Sequence, residues 1–402
     1  MQLRNLIILV FSQLISATGS IVFVTLGGII GATLATDKAW ATLPITMIVL
    51  ASAVTAIPAT MLMRNIGRAQ GFATASLSAV FAVLIAALAL WIESFPLFLV
   101  AGLLFGINLA FTQQYRYAAA ESVDPKYVPR AISFVLVGAI GGALIGPEIA
   151  VRGQHWIAAV PYSGVMLALA CLYALQSVLF LFLQKTRAET ATQHADPGRT
   201  LIEIVKQPVF IVAVLGGTAG YGLMTLVMTA TPLSMHINDG YTVEQVGYVI
   251  KYHVLGMYVP SLVSGFLIEK LGVVRMMFVG AIALVATAVV GLQGHTVMHY
   301  WWALVLLGVG WNFLYVGGTT MLTYSYSVSE RFRAQGCNEI LVFGTSATAS
   351  LLAGTVMHFY GWNRLMWIPL PAVIIVCVAL LMVRKDPLLK RSSSGAPAED
   401  NA

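Results

Sequence analysis

Residues 69–91, AQGFATASLSAVFAVLIAALALW, run without a charged side chain, and after the break Ile92-Glu93-Ser94 residues 95–117, FPLFLVAGLLFGINLAFTQQYRY, carry no charge before Arg116. A helix crossing about 30 Å of hydrocarbon at about 1.5 Å per residue needs about 20 such residues. The two stretches therefore read as an antiparallel pair of membrane-spanning helices, and the same criterion can be carried outward along the chain. It places further spans at roughly 6–33, 41–63, 129–151, 161–184, 207–232, 245–269, 274–292, 299–322, 335–359 and 364–383, twelve in all.

Composition agrees. The 402 residues are 59% apolar and 9% charged, with a mean hydropathy of +0.86. Such a chain lacks the polar side chains to cover a water-facing surface, so a bilayer is the solvent for most of it. Its net charge of +6 does not point to nucleic acid, because the basic residues sit in short breaks between apolar runs and act as topology signals. With the N-terminus cytoplasmic, all of the 22 basic residues except Lys38, Arg152, Lys251 and Arg364 fall on the cytoplasmic side. That bias supports an even number of spans with both termini inside. The stretch from Asn5 to Val24 lacks a small-residue cleavage site and reads as the first helix, not as a signal peptide. Cys171, Cys337 and Cys377 lie in or beside apolar runs, which makes a disulfide framework unexpected.

The longest polar interruption, Lys185 to Lys206, falls near mid-chain. The expected organisation is a six-helix half at 1–184, a linker at 185–206, a second six-helix half at 207–384 and a disordered tail at 385–402. Three anchors suggest that the halves are repeats. Leu104-Phe-Gly-Ile-Asn108-Leu-Ala-Phe111 aligns with Gly308-Val-Gly-Trp-Asn312-Phe-Leu-Tyr315 at an offset of 204, Arg130-Ala131 with Arg333-Ala334 at 203, and Gly67 with Gly272 at 205. Parallel six-helix repeats place a site at the bilayer midplane.

Gly265-Phe-Leu-Ile-Glu269-Lys270-Leu-Gly272-Val-Val-Arg275 resembles the loop of the major facilitator superfamily that joins an acid, a base and a glycine. The first-half copy, Arg64-Asn65-Ile66-Gly67-Arg68, has a base where that family carries the acid, which speaks against a conventional charge latch there. The resemblance implies an all-α membrane protein with twelve transmembrane helices in two six-helix pseudo-repeats, working as a secondary transporter.

Two residue pairs suggest what is carried. Met224 and Met228, and His253 and Met257, are each four apart, so each pair shares a helical face. Counted from the outer helix ends, Met228 lies about 6 Å deep, Met224 and His253 about 12 Å and Met257 about 18 Å. Met235 and His236 extend this ladder to the mouth. Thioether and imidazole suit Cu(I), whereas Mg²⁺ or Ca²⁺ would call for carboxylates and carbonyls. The alternative is ordinary packing for the methionines and a structural hydrogen bond for the histidine. M-x-x-x-M followed by H-x-x-x-M is similar to the signature of the CcoA-like branch, bacterial copper importers linked to cytochrome oxidase assembly, whose related members take up riboflavin. That resemblance makes Met224, Met228, His253 and Met257 the copper ligands, with copper as transported substrate and no permanent cofactor.

Other polar positions suit an organic solute. Asn108, Asn312, Gln13, Gln113, Tyr315 and Trp311 could line a substrate cavity, or the asparagines could simply tie helices together, at about 1 kcal/mol each. Arg116, Arg130, Glu269, Lys270, Arg275, Arg331 and Arg333, with Glu121 and Glu330, are candidates for ion pairs of a cytoplasmic gate. Glu339 and Glu148 are candidate proton carriers. Gly142-Ala-Leu-Ile-Gly146-Pro147 reads as close helix packing. No Walker loop, dinucleotide fingerprint or hydrolytic triad is present, and an enzyme is not expected. The sequence thus favours a monomeric copper importer of the bacterial inner membrane. A riboflavin-like solute is the first alternative, and a non-transporting receptor or assembly factor the second.

Overall fold

The computed structural model describes residues 3–36, 40, 43–185 and 198–389. Among these, twelve helices are long and apolar enough to span a bilayer: α1 (Leu3–Gly31), α2 (Leu43–Ile66), α3 (Arg68–Trp91), α4 (Phe95–Glu121), α5 (Pro125–Ala150), α6 (Ser163–Leu181), α7 (Pro208–His236), α8 (Gln245–Leu271), α9 (Val273–Gln293), α10 (Val297–Thr323), α11 (Arg331–Met357) and α12 (Phe359–Val383). No strand occurs among the described residues, and the expected number and order of spans are found. Large apolar side chains such as Leu351, Phe359 and Met382 stand fully outward, as helices solvated by lipid require. All three cysteines are free thiols.

Two spans are broken. Helix α4 is interrupted at Gln113–Gln114, between Phe95–Thr112 and Tyr115–Glu121. Helix α8 is interrupted after Tyr258 and resumes at Ser261, because Pro260 has no N–H to give to the preceding turn. Between α6 and α7 the linker contains a short helix, Leu201–Val205, closed by a capping box in which Thr200 and Glu203 exchange hydrogen bonds. Residues 186–197 of the linker, and residues 390–402 of the tail expected to be disordered, lie outside the described residues.

The chain divides into two compact units. One comprises residues 1–122, 135–193 and 335–340, and the other 123–134, 194–334 and 341–402. In the first, α3 packs on α4 and α6, and α2 on α4, around a core that includes Phe23, Phe98, Phe105 and Tyr173. Helices in lipid gain no hydrophobic energy by associating, so contact depends on small residues that let backbones approach. Gly102 and Gly106 of α4 meet the backbone of α2 at Pro44 and Ile48, and Gly138, Gly142 and Gly146 of α5 seat against α1. The Gly142/Gly146 pair is therefore a packing surface, as its spacing suggested. In the second unit α10 is the central helix, packed on by α7, α8 and α9. A Cβ on Gly308 would lie 2.7 Å from backbone atoms of His253, Gly256 and Met257, and one on Gly318 would lie 2.9 Å from the Ala213 carbonyl oxygen.

The repeat is real but its register within the central helices differs from the sequence alignment. Gly67 and Gly272, paired by sequence, both adopt the left-handed region, with φ of 84° and 87°, and begin α3 and α9. Asn108 and Asn312, also paired by sequence, point to different neighbours. Asn108 donates to the Ala75 carbonyl of α3, whereas Asn312 donates to the Met257 carbonyl and Ser261 hydroxyl of α8. The glycine seats match at 308 − 106 = 202, since Gly106 faces α2 and Gly308 faces α8. A two-residue slip turns a helical position by about 200°, which is why the similar letters of the two asparagine motifs do not share a face.

In the second unit Gly198 and Arg199 dock against the turn before α11. The Arg199 backbone N–H and Nε donate to Glu330 Oε1 at 2.7 and 2.8 Å, and Nη2 donates to Oε2 at 2.7 Å. Burial alone would raise the Glu330 carboxyl, but the Arg199 guanidinium and the backbone N–H groups of Ser327 and Arg199 outweigh it and hold the group at about 2. A depressed value of this kind contributes stability above the ordinary carboxylate range and loses it as pH falls towards 2, so the dock is insensitive to pH near neutrality. Gly198 has φ of +69°, and a Cβ there would meet Ser329 Oγ at 2.7 Å.

Two outcomes are expected. Glu330→Gln or Gly198→Ala should accelerate tryptic cleavage after Arg199, read by timed digestion of detergent-purified protein; an unchanged rate would mean that the dock does not hold the linker. Gly308→Ala should lower thermal stability, at a cost of about 1–3 kcal/mol from overpacking against backbone, while Gly344→Ala, with nothing within 4 Å of the new methyl, should be neutral or stabilising.

Candidate functional site

Four helices of the second unit bring aromatic rings together. Trp311 and Tyr315 are one turn apart on α10 and stack at 4.8 Å between centroids, with 19° between planes. Tyr221 of α7 stands edge-on to Trp311 at 5.4 Å, to Tyr315 at 5.2 Å and to Phe343 of α11 at 5.1 Å. Tyr258, the last residue before the break in α8, meets Trp311 edge-on at 5.7 Å. Edge-to-face contacts align the positive rim of one ring with the negative face of another. Glycines make the approach possible: a Cβ on Gly220 would crowd Leu314 at 3.1 Å, so α7 can bring Tyr221 close to α10. Trp311, Tyr315 and Phe343 are buried, while Tyr221 and Tyr258 are half-buried.

Three buried polar atoms on α8 and α10 have no partner among the described residues: Trp311 Nε1, Asn312 Oδ1 and His253 Nε2. An unpaired buried polar group costs about 1–3 kcal/mol, and in a native interior it calls for an explanation. The N–H of Trp311 is a donor only, and Asn312 Oδ1 an acceptor only. His253 Nδ1 lies 2.8 Å from the Leu304 carbonyl of α10. A carbonyl cannot donate, so Nδ1 carries the hydrogen and Nε2 presents its lone pair. The three atoms are one unused donor and two unused acceptors on the two helices that carry Trp311 and Tyr258.

The sequence-selected residues divide accordingly. Met224 and Met257 are buried and Met228 is half-buried. Both α7 and α8 pack chiefly on α10, and His253 donates its hydrogen bond to that helix, while the Met257 carbonyl accepts from Asn312. Met235 is fully buried, and His236 Nδ1 lies 2.7 Å from the Tyr241 carbonyl. No group of three or more His, Cys, Asp and Glu side chains suited to a metal occurs among the described residues.

Of the proposed cavity residues, Trp311, Tyr315 and Asn312 belong to the cluster. Asn108, Gln13 and Gln113 belong to the first unit, where Asn108 ties α4 to α3 and Gln113 Oε1 accepts from Arg116 at 3.2 Å. Tyr221, Tyr258 and Phe343 were not singled out by sequence. Single tyrosines and phenylalanines in apolar helices carry no local signal, and only packing shows that they converge.

The charged residues find specific partners. Arg116 pairs with Glu339 and Arg130 with Glu269, each at 2.5 Å. Arg64, the base that replaces the acid in the first-half loop, is exposed, and Arg68, just after Gly67, forms two hydrogen bonds with Glu121. Arg331 donates to the Val328 carbonyl and Arg275 to that of Leu271; Lys270 is exposed and Arg333 half-buried. Glu148 pairs with Arg152 on an exposed surface, unlike the buried Glu339.

Comparison with known proteins gives a consistent picture. The family model described as Major Facilitator Superfamily matches residues 9–250 and 224–400. The riboflavin transporter RfnT of Brucella anthropi is 35% identical over 398 residues, covering 98% of each chain. The uncharacterized transporter YdeG of Bacillus subtilis is 29% identical, over 88% of this chain and 86% of its own. Among solved structures, FucP in its outward conformation superposes with a TM-score of 0.76 at 14% identity, over 94% of this chain and 98% of that one. The human organic anion transporter MFSD10 gives 0.75 at 15% identity, over 94% and 99%.

Trp311→Phe should leave the thermal stability of the empty protein unchanged or raised, because it keeps a ring and removes an unpaired buried N–H. Trp311→Ala should lose about 3–5 kcal/mol. Thermal melts of the two purified variants check this; a large loss in the Phe variant would mean that the N–H has a structural partner.

Proposed function

Because the chain belongs to the Major Facilitator Superfamily, and so is a multi-pass secondary transporter, we propose that it takes up riboflavin or a closely similar flat heteroaromatic solute across the bacterial inner membrane, with both termini cytoplasmic. The observation that carries this reading is the cluster of Trp311, Tyr315, Tyr221 and Tyr258, in which Trp311 Nε1 has no partner among the described residues. A fused nitrogen heterocycle has π faces to stack and carbonyl, N–H and ring-nitrogen edges to hydrogen-bond. Trp311 Nε1 would give a hydrogen bond to a ring carbonyl, and Asn312 Oδ1 and His253 Nε2 would accept from N–H or hydroxyl groups. Tyr221 and Tyr258, only half-buried, are the rings that can yield to an incoming one. The 35% identity to a riboflavin transporter over nearly the whole chain supports the same solute class.

Copper as the cargo has narrower support. One feature favours it: His253 donates Nδ1–H to a carbonyl and keeps Nε2 free, the arrangement that metal-bound imidazoles adopt. The unsatisfied donor on Trp311 has no use in holding a cation, whereas it has one with an organic solute. Supply of copper for oxidase assembly would follow only from that second reading.

Expression in a riboflavin auxotroph that lacks its own uptake system should restore growth at low riboflavin. Trp311→Phe should weaken riboflavin uptake by about tenfold, the loss of one hydrogen bond that costs about 1.4 kcal/mol. Rescue by neither form, together with copper accumulation abolished by His253→Ala, would overturn the flavin reading in favour of copper.

A further inference from the structure

Glu339 and Arg116 are each 2% exposed and lie within membrane-spanning helices α11 and α4. Three donors converge on a single carboxylate oxygen: Arg116 Nη2 at 2.5 Å, Tyr117 Oη at 2.9 Å and Asn338 Nδ2 at 2.9 Å all reach Glu339 Oε1. The other oxygen, Oε2, is buried and has no partner among the described residues. Asn338 also reaches Tyr117 Oη at 3.0 Å, and Arg116 reaches Tyr117 Oη and Gln113 Oε1, each at 3.2 Å. The cluster lies inside the first unit.

A purely structural ion pair would be expected to satisfy both carboxylate oxygens, since an ionised carboxylate spreads its charge over the two and a bare buried oxygen is costly. Here the two oxygens are treated differently. Oε1 can accept its three hydrogen bonds whether the group is a carboxylate or an acid, and Oε2 is the one place left for a proton. Arg116, Tyr117 and Asn338 face the carboxyl directly. The next charged pair, Arg68 with Glu121, is bound to Gln335 one turn earlier on α11 and balances its own charge. A proton on Oε2 would remove the negative charge that Arg116 faces at Glu339, while its contacts with the Gln113 and Tyr117 oxygens and with the Tyr117 ring, whose centroid is 4.7 Å from its guanidinium carbon, would remain. The two protonation states thus differ strongly in the electrostatics of this buried site, and ionisable groups inside a membrane protein are functional by default.

We propose that Glu339 is the proton-carrying residue of the transport cycle, with the proton seated on Oε2 and Arg116 as the residue that positions the carboxyl. A proton from water on one side bonds to Oε2, turning the carboxylate into the acid and leaving Arg116 charged. Release to water on the other side restores the ion pair, and no electrons move. The transport part of this inference rests on riboflavin being the solute; the titration part does not.

The experiment uses full-length protein in proteoliposomes and has two arms. The first needs no solute: infrared difference titration across the physiological pH range should show a protonated-carboxyl band in wild type that is missing in Glu339→Gln and shifted in Glu339→Asp. In the second, an inward pH gradient of one unit should support about tenfold accumulation of labelled riboflavin for one coupled proton, and Glu339→Gln should abolish that accumulation while keeping riboflavin exchange at equilibrium. Absence of the band in wild type, its persistence in Glu339→Gln, or gradient-driven accumulation by that variant would overturn the proposal. Should Glu339→Gln fail to fold, the Glu339→Asp band decides, a shift supporting the assignment and an unmoved band overturning it. A wild type that exchanges no riboflavin but shows the band would defeat the solute assignment and leave the proton site standing.

Discussion

The close seating of α10 against its neighbours is the contact on which the second unit depends. Lipid tails are as apolar as leucine, so helices there are held by dispersion at short range and by hydrogen bonds to backbone. Gly308 supplies the first by letting α10 lie on the backbone of α8. Asn312 and His253 supply the second, each linking a side chain to a carbonyl on the opposite helix. Because these links reach α10 at Leu304 and Asn312, about two turns apart, they fix its rotation as well as its distance. With the rotation fixed, Trp311 and Tyr315 must face Tyr221 rather than lipid. The packing contact and the gathering of the aromatic rings are thus two consequences of one orientation.

The same residues show how packing and binding divide the capacity of a polar side chain. Asn312 spends its amide hydrogens on α8 and leaves Oδ1 over; His253 spends Nδ1 and leaves Nε2 over. Each is held rigidly by the half that is satisfied, so the remaining atom is presented at a fixed place. Sites built in this way need little reorganisation on binding, which is where affinity is most often lost.

Charge follows a comparable logic in the first unit. The base that stands in the place of the expected acid, Arg64, is exposed, whereas Arg68, the first residue of α3, is fully buried and paired with Glu121. Arg116 is likewise matched by Glu339, and both pairs include a donor or acceptor from residues 335–339 of α11. That short segment of α11 belongs to the first unit, where a Cβ on Gly336 would lie 2.7 Å from Thr60 Oγ1.

What the sequence by itself determined was everything that depends on hydrophobic length and on local backbone chemistry. Twelve spans, the matching of Gly67 with Gly272 and the packing role of Gly142 and Gly146 were all legible, because each is set within a window no longer than one helix. What only the tertiary structure decided was rotation and partnership. A slip of two residues between similar motifs is invisible in letters but turns Asn108 towards α3 and Asn312 towards α8. Tyr221, Tyr258 and Phe343 became a cluster, and Glu121, Glu330 and Glu339 acquired their arginines, only when helices far apart in sequence were laid side by side. Side-chain direction about a helix axis is fixed by neighbours, and neighbours in a membrane are chosen by shape, which no single segment encodes.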